Sequence, residues 1–296
     1  MGFSSTDDWV NEVTTNGKTT GVIISNKITG ASAYTAGRWY DMSNLNGFPV
    51  ANAWAGTALA WKTCDETTGN GTQIFGLPNG GAVSTDTKHM ALASVCTAVA
   101  TGVPAFIQWV DLQGYWPGIS LNSAVAQTLT GTPTLRYASG AGCRLYGVVT
   151  TASGATAHNI AVSYTDQGGA TGNSLPVTVA MTASAIAGHI GHTGTAANNY
   201  GPFLPLANGD TGVQNVASVT MSAASGSGVM ALCLARPLGL PIPITTLGVL
   251  GEREFFTQAP SLPRVVDGAC LVPLIFAGAA VAASTNFYLF NEFQWG

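Results

Sequence analysis

The chain has few charged side chains. Of its 296 residues, 10 are lysine or arginine and 14 are aspartate or glutamate, so charged residues make up 8% of the chain, against about 25% in an ordinary soluble domain. Hydrophobic residues make up 46%, and the mean hydropathy is +0.28. A surface this neutral favours self-association. The composition therefore predicts a component of an assembly, held by apolar contacts and backbone hydrogen bonds rather than by salt bridges.

Positive charge is especially scarce. No lysine follows Lys88, and the formal net charge is −4. Because nucleic-acid binding needs a basic surface that neutralises phosphates, we expect no nucleic-acid partner. The two most apolar stretches, residues 229–250 and 268–283, are interrupted by proline, and the second is shorter than the ~20 residues of a membrane-spanning helix. We expect strands and loops there, and no membrane contact.

The cysteines do not form a disulfide framework. They are odd in number, lie far apart and include no CxxC pair, whereas disulfide-stabilised chains show even, dense spacing. The first residues also show no apolar signal-peptide core. Both features are expected of synthesis in a reducing cytoplasm, with buried free thiols at Cys64, Cys96, Cys143, Cys233 and Cys270.

Helix-forming sequence is confined to the start of the chain. Ser5 or Thr6 can cap a short helix over residues 6–15 with an acidic first turn, and Trp9 would dock it. An arm that becomes ordered only on a neighbour is the alternative. The rest is rich in Thr, Ser, Val, Ala and Gly with recurrent glycine turns. It predicts an all-β fold, a β-sandwich or jelly-roll-like architecture with a short N-terminal helix or arm.

Individual strands can be placed within this pattern. Residues 157–164 alternate so that His158, Ile160, Val162 and Tyr164 share one face. Glycine turns predict two hairpins, one joining 143–150 to 157–164 and one joining 213–222 to 229–234. The aromatic-rich residues 286–295 predict a closing strand.

The predicted organisation has three parts: an N-terminal helix or arm over residues 1–35, a first β lobe over 36–132, and a second β-sandwich lobe over 133–296. Pro133 follows a polar stretch and marks the boundary between the two lobes. A single compact domain is the alternative.

Common catalytic and metal-binding motifs are missing. There is no GxSxG, HExxH or GxxxxGK[ST]. His189 and His192 are surrounded by glycines that argue against a helix, so we expect loop histidines bonded to backbone and neither metal nor other cofactor. A hydrolase that uses Asp65, Glu66 or Asp111 is an alternative, although adjacent acids in a turn are usually turn formers. We expect a protein that is not an enzyme.

The remaining charges and the aromatic residues supply the candidate interface. Unpaired buried charge is costly, so Arg253, between two glutamates, and Arg264, close to Asp267, are expected to have partners, either internal or on another subunit. Tryptophan and tyrosine anchor cores and interfaces, and they can also stack on sugars. The candidate interface residues are Trp9, Trp39, Tyr40, Arg253, Arg264 and Trp295.

Several segments resemble a family of tailed-bacteriophage virion structural proteins. They are residues 37–47 (GRWYDMSNLNG), 260–271 (PSLPRVVDGACL), 283–288 (ASTNFY) and 292–296 (EFQWG). The similarity extends over most of the chain, and it implies a component of the virus particle without distinguishing head from tail.

Together with the composition, this resemblance predicts a capsid decoration or cement protein. Its partners would be further copies of itself, with a trimer expected, and other virion proteins such as the major capsid protein. Its location would be the virion, after synthesis in the cytoplasm of the host bacterium. The alternative is a tail, fibre or baseplate component that recognises host glycans through exposed tryptophans such as Trp54 and Trp116.

Overall fold

The computed structural model describes residues 2–70, 73–195, 201–256 and 262–296. Within these ranges the longest α-helix is α1 (Thr6–Val10), which a π-helical turn, Asn11–Thr15, extends. Almost everything else that is regular is strand. The predicted all-β sandwich with a short N-terminal helix is confirmed, and so is the placement of that helix over residues 6–15.

The strands are numbered in chain order. The first ten are β1 Thr19–Ile28, β2 Arg38–Asp41, β3 Asn46–Phe48, β4 Lys62–Thr63, β5 Gly69–Asn70, β6 Gln73–Ile74, β7 Lys88–Thr97, β8 Ala105–Ser120, β9 Gln127–Thr128 and β10 Arg144–Thr151. The others are β11 His158–Asp166, β12 Asn173–Ser174, β13 Val179–Met181, β14 Val213–Met221, β15 Val229–Ile244, β16 Gly251–Glu254, β17 Arg264–Val265, β18 Leu271–Ala277 and β19 Asn286–Trp295. Short 3-10 turns lie at Met42–Asn44, Ala100–Gly102 and Ala138–Gly140.

Three antiparallel sheets contain most of these strands. The terminal sheet has the order β16-β7-β19-β1-β3, with β17 also on β7, and so joins the two ends of the chain. The central sheet has the order β10-β15-β8-β18-β2, with β4 also on β8. The lateral sheet has the order β12-β11-β14-β9, with β13 also on β11. The closing strand was predicted over residues 286–295, and β19 confirms it.

The central sheet is shared by two sandwiches. Its strands β8 and β15 each run for 16 residues. At one end they pack through Ile107 and Ile242 against Phe287 and Phe293 of the terminal sheet. At the other end the same face packs against the lateral sheet. Loops cover its opposite face with Trp54, Phe75 and Ile190, among other residues, so both faces of the central sheet are buried.

The lateral sheet confirms one predicted strand face and corrects both predicted hairpins. His158, Ile160, Val162 and Tyr164 of β11 are all buried. However, β10 pairs with β15 in the central sheet, whereas β11 pairs with β14 in the lateral sheet. The predicted partners therefore belong to different sheets, and each glycine turn carries the chain across the sandwich instead of closing a hairpin.

The two crossing turns pack against each other, which explains their glycines. The backbone N–H of Gly154 donates to the Ser227 carbonyl at 3.2 Å. A Cβ at Gly154 would lie 1.9 Å from the Ser225 carbonyl oxygen, and one at Gly228 (φ 106°) would lie 2.7 Å from Ser153 Cα. These glycines permit close approach of two loops, a function that the sequence pattern does not separate from that of a hairpin turn.

The remaining fold predictions concern cysteines, apolar stretches and domains. All five cysteines are free thiols, and four are buried as expected, whereas Cys96 is half-buried. The apolar stretches form strands β15 and β18, and no helix among the described residues is long and apolar enough to cross a membrane. The division at residues 1–35, 36–132 and 133–296 stays a prediction, and strands from all three parts pair with one another in the sheets.

Candidate interaction surface

Trp9 fixes the N-terminal helix to the terminal sheet. The Ser5 hydroxyl accepts the backbone N–H of Asp8 at 3.0 Å and caps the helix. The Trp9 indole N–H donates to Gln294 Oε1 at 2.6 Å, and its ring stacks on Phe256 at 4.9 Å. Because Gln294 lies at the end of β19, the first residues of the chain fold back over one end of their own sheet.

The other aromatic candidates occupy different environments. Trp39 is half-buried on β2 and contacts Phe276 with 5.4 Å between ring centroids. Tyr40 is only 1% exposed and stacks on Tyr34 at 3.7 Å, so it packs inside the chain. Trp295 is half-buried at the end of β19, where its ring would lie 3.7 Å from a Cβ placed on Gly80.

The two candidate arginines lie near the edge of the terminal sheet. Arg253 is on β16, and its guanidinium donates to the Pro241 carbonyl at 3.3 Å. Arg264 is exposed on the short β17. The ion pairs found between residues that the structure describes are Lys18 with Glu12 and Asp86, and Arg136 with Asp111. The pairings suggested by sequence proximity, Arg253 with its flanking glutamates and Arg264 with Asp267, are not among them. Pro260 and Ser261 of the resemblance lie outside the described residues.

The outward side of the terminal sheet has an apolar area. Along β19, alternate residues point into the core, as Phe287, Leu289 and Phe293 do. The residues between them point outward and align with outward residues of β1 and β7: Ile24 pairs with Phe290, and Tyr288 pairs with Cys96. We call this area the open face, and its apolar members are Val22, Ile24, Leu92, Cys96, Tyr288 and Phe290.

The exposure of the open face is largest at its edge strand. Val22 is 54% exposed and Ile24 is 59% exposed. Within the described residues, β1 pairs with β19 over most of its length but with β3 only at residues 26–28. No other strand of the described part of the chain pairs with the outer edge of β1 at residues 22–25, and this stretch has none of the lysines or prolines that usually block such an edge.

Acidic side chains border the open face. Glu292 accepts the Thr19 hydroxyl at 2.8 Å, and Glu252 accepts the Ser94 hydroxyl at 3.3 Å from across the sheet. The lysines of the same strands, Lys27 and Lys88, are buried at 1% exposure. The face is thus apolar in the middle and negative at its border.

The hydrolase candidates Asp111 and Asp65 are both hydrogen-bonded within the chain, and the backbone N–H of Glu66 donates to the Gly268 carbonyl at 3.2 Å. Asp111 is fully buried, and Arg136 binds both of its oxygens, with Nε 3.2 Å from Oδ2 and Nη2 2.5 Å from Oδ1. The backbone N–H of Cys270 adds a third bond at 3.0 Å. Asp65 instead caps a turn by accepting the N–H of Thr67 at 2.8 Å. Asp111 therefore joins β8 to β18 and to the loop of Arg136, and its oxygens are fully engaged.

A second buried charge lies under the β2 turn. Lys27 donates to the carbonyls of Leu45 and Pro49, and burial lowers its pKa to about 8 despite the nearby Asp41. Asp41 accepts the Tyr146 hydroxyl at 3.0 Å and the Ser43 N–H at 2.7 Å. Burial raises the pKa of Asp41, against the effect of these bonds. Two carbonyls satisfy Lys27, and a hydroxyl and a backbone N–H satisfy Asp41, so these buried polar groups have internal partners.

His189 and His192 were expected to be loop histidines bonded to backbone; both lie outside the named strands, and both are buried. His192 Nε2 accepts the backbone N–H of Gly147 at 3.2 Å, and the His189 ring lies 5.1 Å from that of Tyr40. Burial lowers the pKa of both to about 3, which keeps them neutral at physiological pH. Among the described residues, no cluster of three His, Cys, Asp or Glu side chains could hold a metal ion.

The tryptophans proposed to bind sugars are in the core. Trp116 is fully buried and Trp54 is 8% exposed. Neither ring offers a face to a ligand. The prediction that Trp54 and Trp116 are exposed and bind glycans is therefore wrong. Their indole N–H groups bond internally, to Thr130 O at 3.2 Å and to Asn44 Oδ1 at 3.0 Å.

Sequence reasoning missed the open face. Its signal is present in the uncharged, β-branched run Val22, Ile23 and Ile24, but such a run looks the same in a buried strand. Only the packing of the sheet shows that Val22 and Ile24 face outward, while Ile23 packs against the core.

Comparisons with known proteins give little similarity. No protein-family model matches the chain, and no curated protein matches it. Two solved structures overlap weakly: the VP2 subviral particle of infectious bursal disease virus, at 9% identity and a TM-score of 0.20 over 96% of this chain and 86% of that one, and the Gt strain of the same virus, at 9% identity and a TM-score of 0.18 over 97% and 86%. TM-scores this low do not establish a shared fold.

Proposed function

We propose that the chain is a non-enzymatic structural component of a bacteriophage virion. Its role would be that of a capsid decoration or cement protein that stabilises the head shell as an oligomer, with a trimer as the expected state. The observation that carries this proposal is the open face, an exposed apolar area on a chain with very few surface charges. Exposed apolar areas of this kind mark protein–protein contact sites.

The mechanism needs no chemistry beyond surface burial. Another copy or a shell protein would cover Val22, Ile24 and Phe290, and its backbone could extend the sheet along the free edge of β1. Each contact could be weak, because many identical subunits on one particle act together through multivalency. The acidic border of Glu252 and Glu292 favours a partner surface that is neutral or basic.

The resemblance of residues 37–47, 283–288 and 292–296 to virion proteins supports the same role. Trp39 and Tyr40 of the first segment lie on β2 of the central sheet, and the last segment lies on β19 beside the open face. These segments thus belong to the two packed sheets, one of which carries the open face.

The location can be tested on purified virions of the phage that encodes the chain. Gold-labelled antibodies against the protein should decorate the head in electron micrographs at many sites per particle. Label restricted to the tail would support a tail component instead, and virions without the protein would contradict any structural role in the particle.

A further inference from the structure

A recess interrupts the lateral sheet next to β11. Ile160 pairs with Val179 and Ser163 pairs with Ser174. Four residues of β11 therefore face six residues of the neighbouring chain, and residues 175–178 arch away from the sheet. The arch borders an open recess of about 500 Å³, a volume within the range of small-molecule sites.

The floor of the recess is the outward face of two strands. Asn159 and Ala161 alternate with the buried Ile160 and Val162 on β11, and Thr220 lies between two buried residues of β14. Ala161 has the smallest side chain of this floor, so the recess is deepest above it. The wall opposite consists of Leu175, Pro176 and Val177 from the arch.

The polar groups of the recess are free for a ligand. Across residues 2–70, 73–195, 201–256 and 262–296, the side chains of Asn159, Thr178 and Thr220 make no hydrogen bond to the protein. Ser222 Oγ accepts the backbone N–H of Asn159 at 2.8 Å and keeps its own O–H to donate. One amide and several hydroxyls thus face an apolar wall.

The chemistry of this lining selects a class of ligand. None of its residues is charged, so a charged ligand would lose hydration without gaining an ion pair. A purely apolar ligand would leave the amide and hydroxyls without partners. A neutral sugar satisfies both requirements, because its hydroxyls can bond to Asn159 and Thr220 while a C–H face packs on Pro176 and Val177.

We propose that this recess binds a neutral saccharide. The site lies on the lateral sheet and uses no residue of the open face. Saccharide binding is therefore independent of the proposed assembly role, and each can fail without the other.

The test is saturation-transfer difference NMR on the full chain with lactose, maltose, cellobiose and N,N′-diacetylchitobiose, followed by titration of any binder. Thr220→Val removes one hydroxyl at constant shape and should weaken binding about tenfold. Ala161→Trp fills the floor and should abolish binding. Thr128→Val, an exposed threonine on β9 of the same sheet, is the matched control and should bind like the parent.

Three results would contradict saccharide binding in this recess. No transfer to any of the four sugars would overturn the proposal, and so would binding that persists in both recess variants. Stronger binding of sialyllactose than of lactose would contradict the neutral character of the site. Ile24→Asp, on the open face, should leave sugar binding unchanged, which separates this site from the assembly surface.

Discussion

The central and terminal sheets differ in how many of their faces are buried. The central sheet is buried on both faces and contains charged groups, among them Asp41 and Asp111, each with 0% exposure. The terminal sheet is buried on one face only, and its outward side is apolar at Ile24 and Phe290. Both sheets bury charged side chains, since Lys27 and Lys88 of the terminal sheet are also buried, but the terminal sheet in addition leaves an apolar area on its outward side.

The buried charges add to what the composition indicates about the surface. The chain has 24 charged residues, 10 basic and 14 acidic, and several of them do not reach solvent. Lys27, Lys88 and Asp111 are buried, and the Arg136 side chain is 13% exposed. The surface is thus even poorer in charge than the sequence suggests, which is the condition under which an apolar face associates with a partner.

The largest expected effect concerns the buried pair of the central sheet. Asp111→Leu leaves the Arg136 guanidinium buried without its carboxylate, which should lower the free energy of unfolding by about 3–5 kcal/mol. Urea unfolding followed by tryptophan fluorescence measures this loss. The double variant Asp111→Leu with Arg136→Met should recover much of it, because no charge is then left uncompensated. A single-variant loss below about 1 kcal/mol would show that this pair resembles an exposed ion pair.

The free energy of unfolding, measured over a pH series, tests the two buried histidines, His189 and His192. In the unfolded chain, His189 and His192 take up protons below about pH 6.5, but in the fold their pKa is lowered to about 3 by burial. The unfolded state therefore binds more protons between these values, and the free energy of unfolding falls as the pH falls. The expected slope is about 1.4 kcal/mol per pH unit for each histidine, well below pH 6.5.

A single variant isolates one of these histidines. His192→Gln keeps an acceptor for the Gly147 N–H but takes up no proton, so its urea-unfolding midpoint should depend less on pH than that of the parent between about pH 6 and 4. Identical pH dependence in the two proteins would mean that His192 is protonated in the fold.

The next prediction concerns the contact between the N-terminal helix and the terminal sheet. Trp9→Ala removes the stack on Phe256 and the bond to Gln294, together about 2 kcal/mol of local stability. Amide hydrogen exchange of residues 6–15 should accelerate, while exchange in β8 should not change. Val10→Ala, at a side chain 44% exposed, is the control. Equal protection in Trp9→Ala and the parent would show that other contacts hold the segment.

Local patterns were sufficient where neighbours in sequence determine the structure. The cap at Ser5 and the acidic first turn specify the helix, and the alternation of His158 to Tyr164 specifies a half-buried strand. The predicted hairpins failed because a glycine turn permits either a return within one sheet or a crossing to the other. Which of these occurs depends on whole-sheet packing around Gly154 and Ser225.

The candidate surface was harder to predict for the same reason. Trp9 could be chosen because a lone tryptophan on a short helix needs a docking site. Tyr40 and Ile24 could not be separated, since both lie in sequence typical of strands and only the packing of the sheets places Tyr40 in the core and Ile24 outside. Arg136 was missed because its partner Asp111 is distant in sequence, and only the fold brings the loop of Arg136 onto β8.

The smallest expected effect on the fold is at the open face itself. Ile24→Asp changes a side chain that is 59% exposed, so the free energy of unfolding of the isolated chain should change by no more than about 0.5 kcal/mol. Chemical denaturation at low protein concentration checks this value. A loss of several kcal/mol would mean that Ile24 supports the sandwich and not an interface.

The central claim, that the open face is an assembly surface, is tested most directly by light scattering coupled to size-exclusion chromatography. The parent protein should elute as an oligomer, with three times 30.2 kDa as the expected mass. Ile24→Asp should shift it toward the mass of one chain, because it places a carboxylate in an apolar contact with an acidic border. Val125→Asp, at a residue that is 73% exposed in the loop leading to β9 of the lateral sheet, should keep the parent mass. A parent that is monomeric, or an Ile24→Asp variant with the parent mass, would contradict the account.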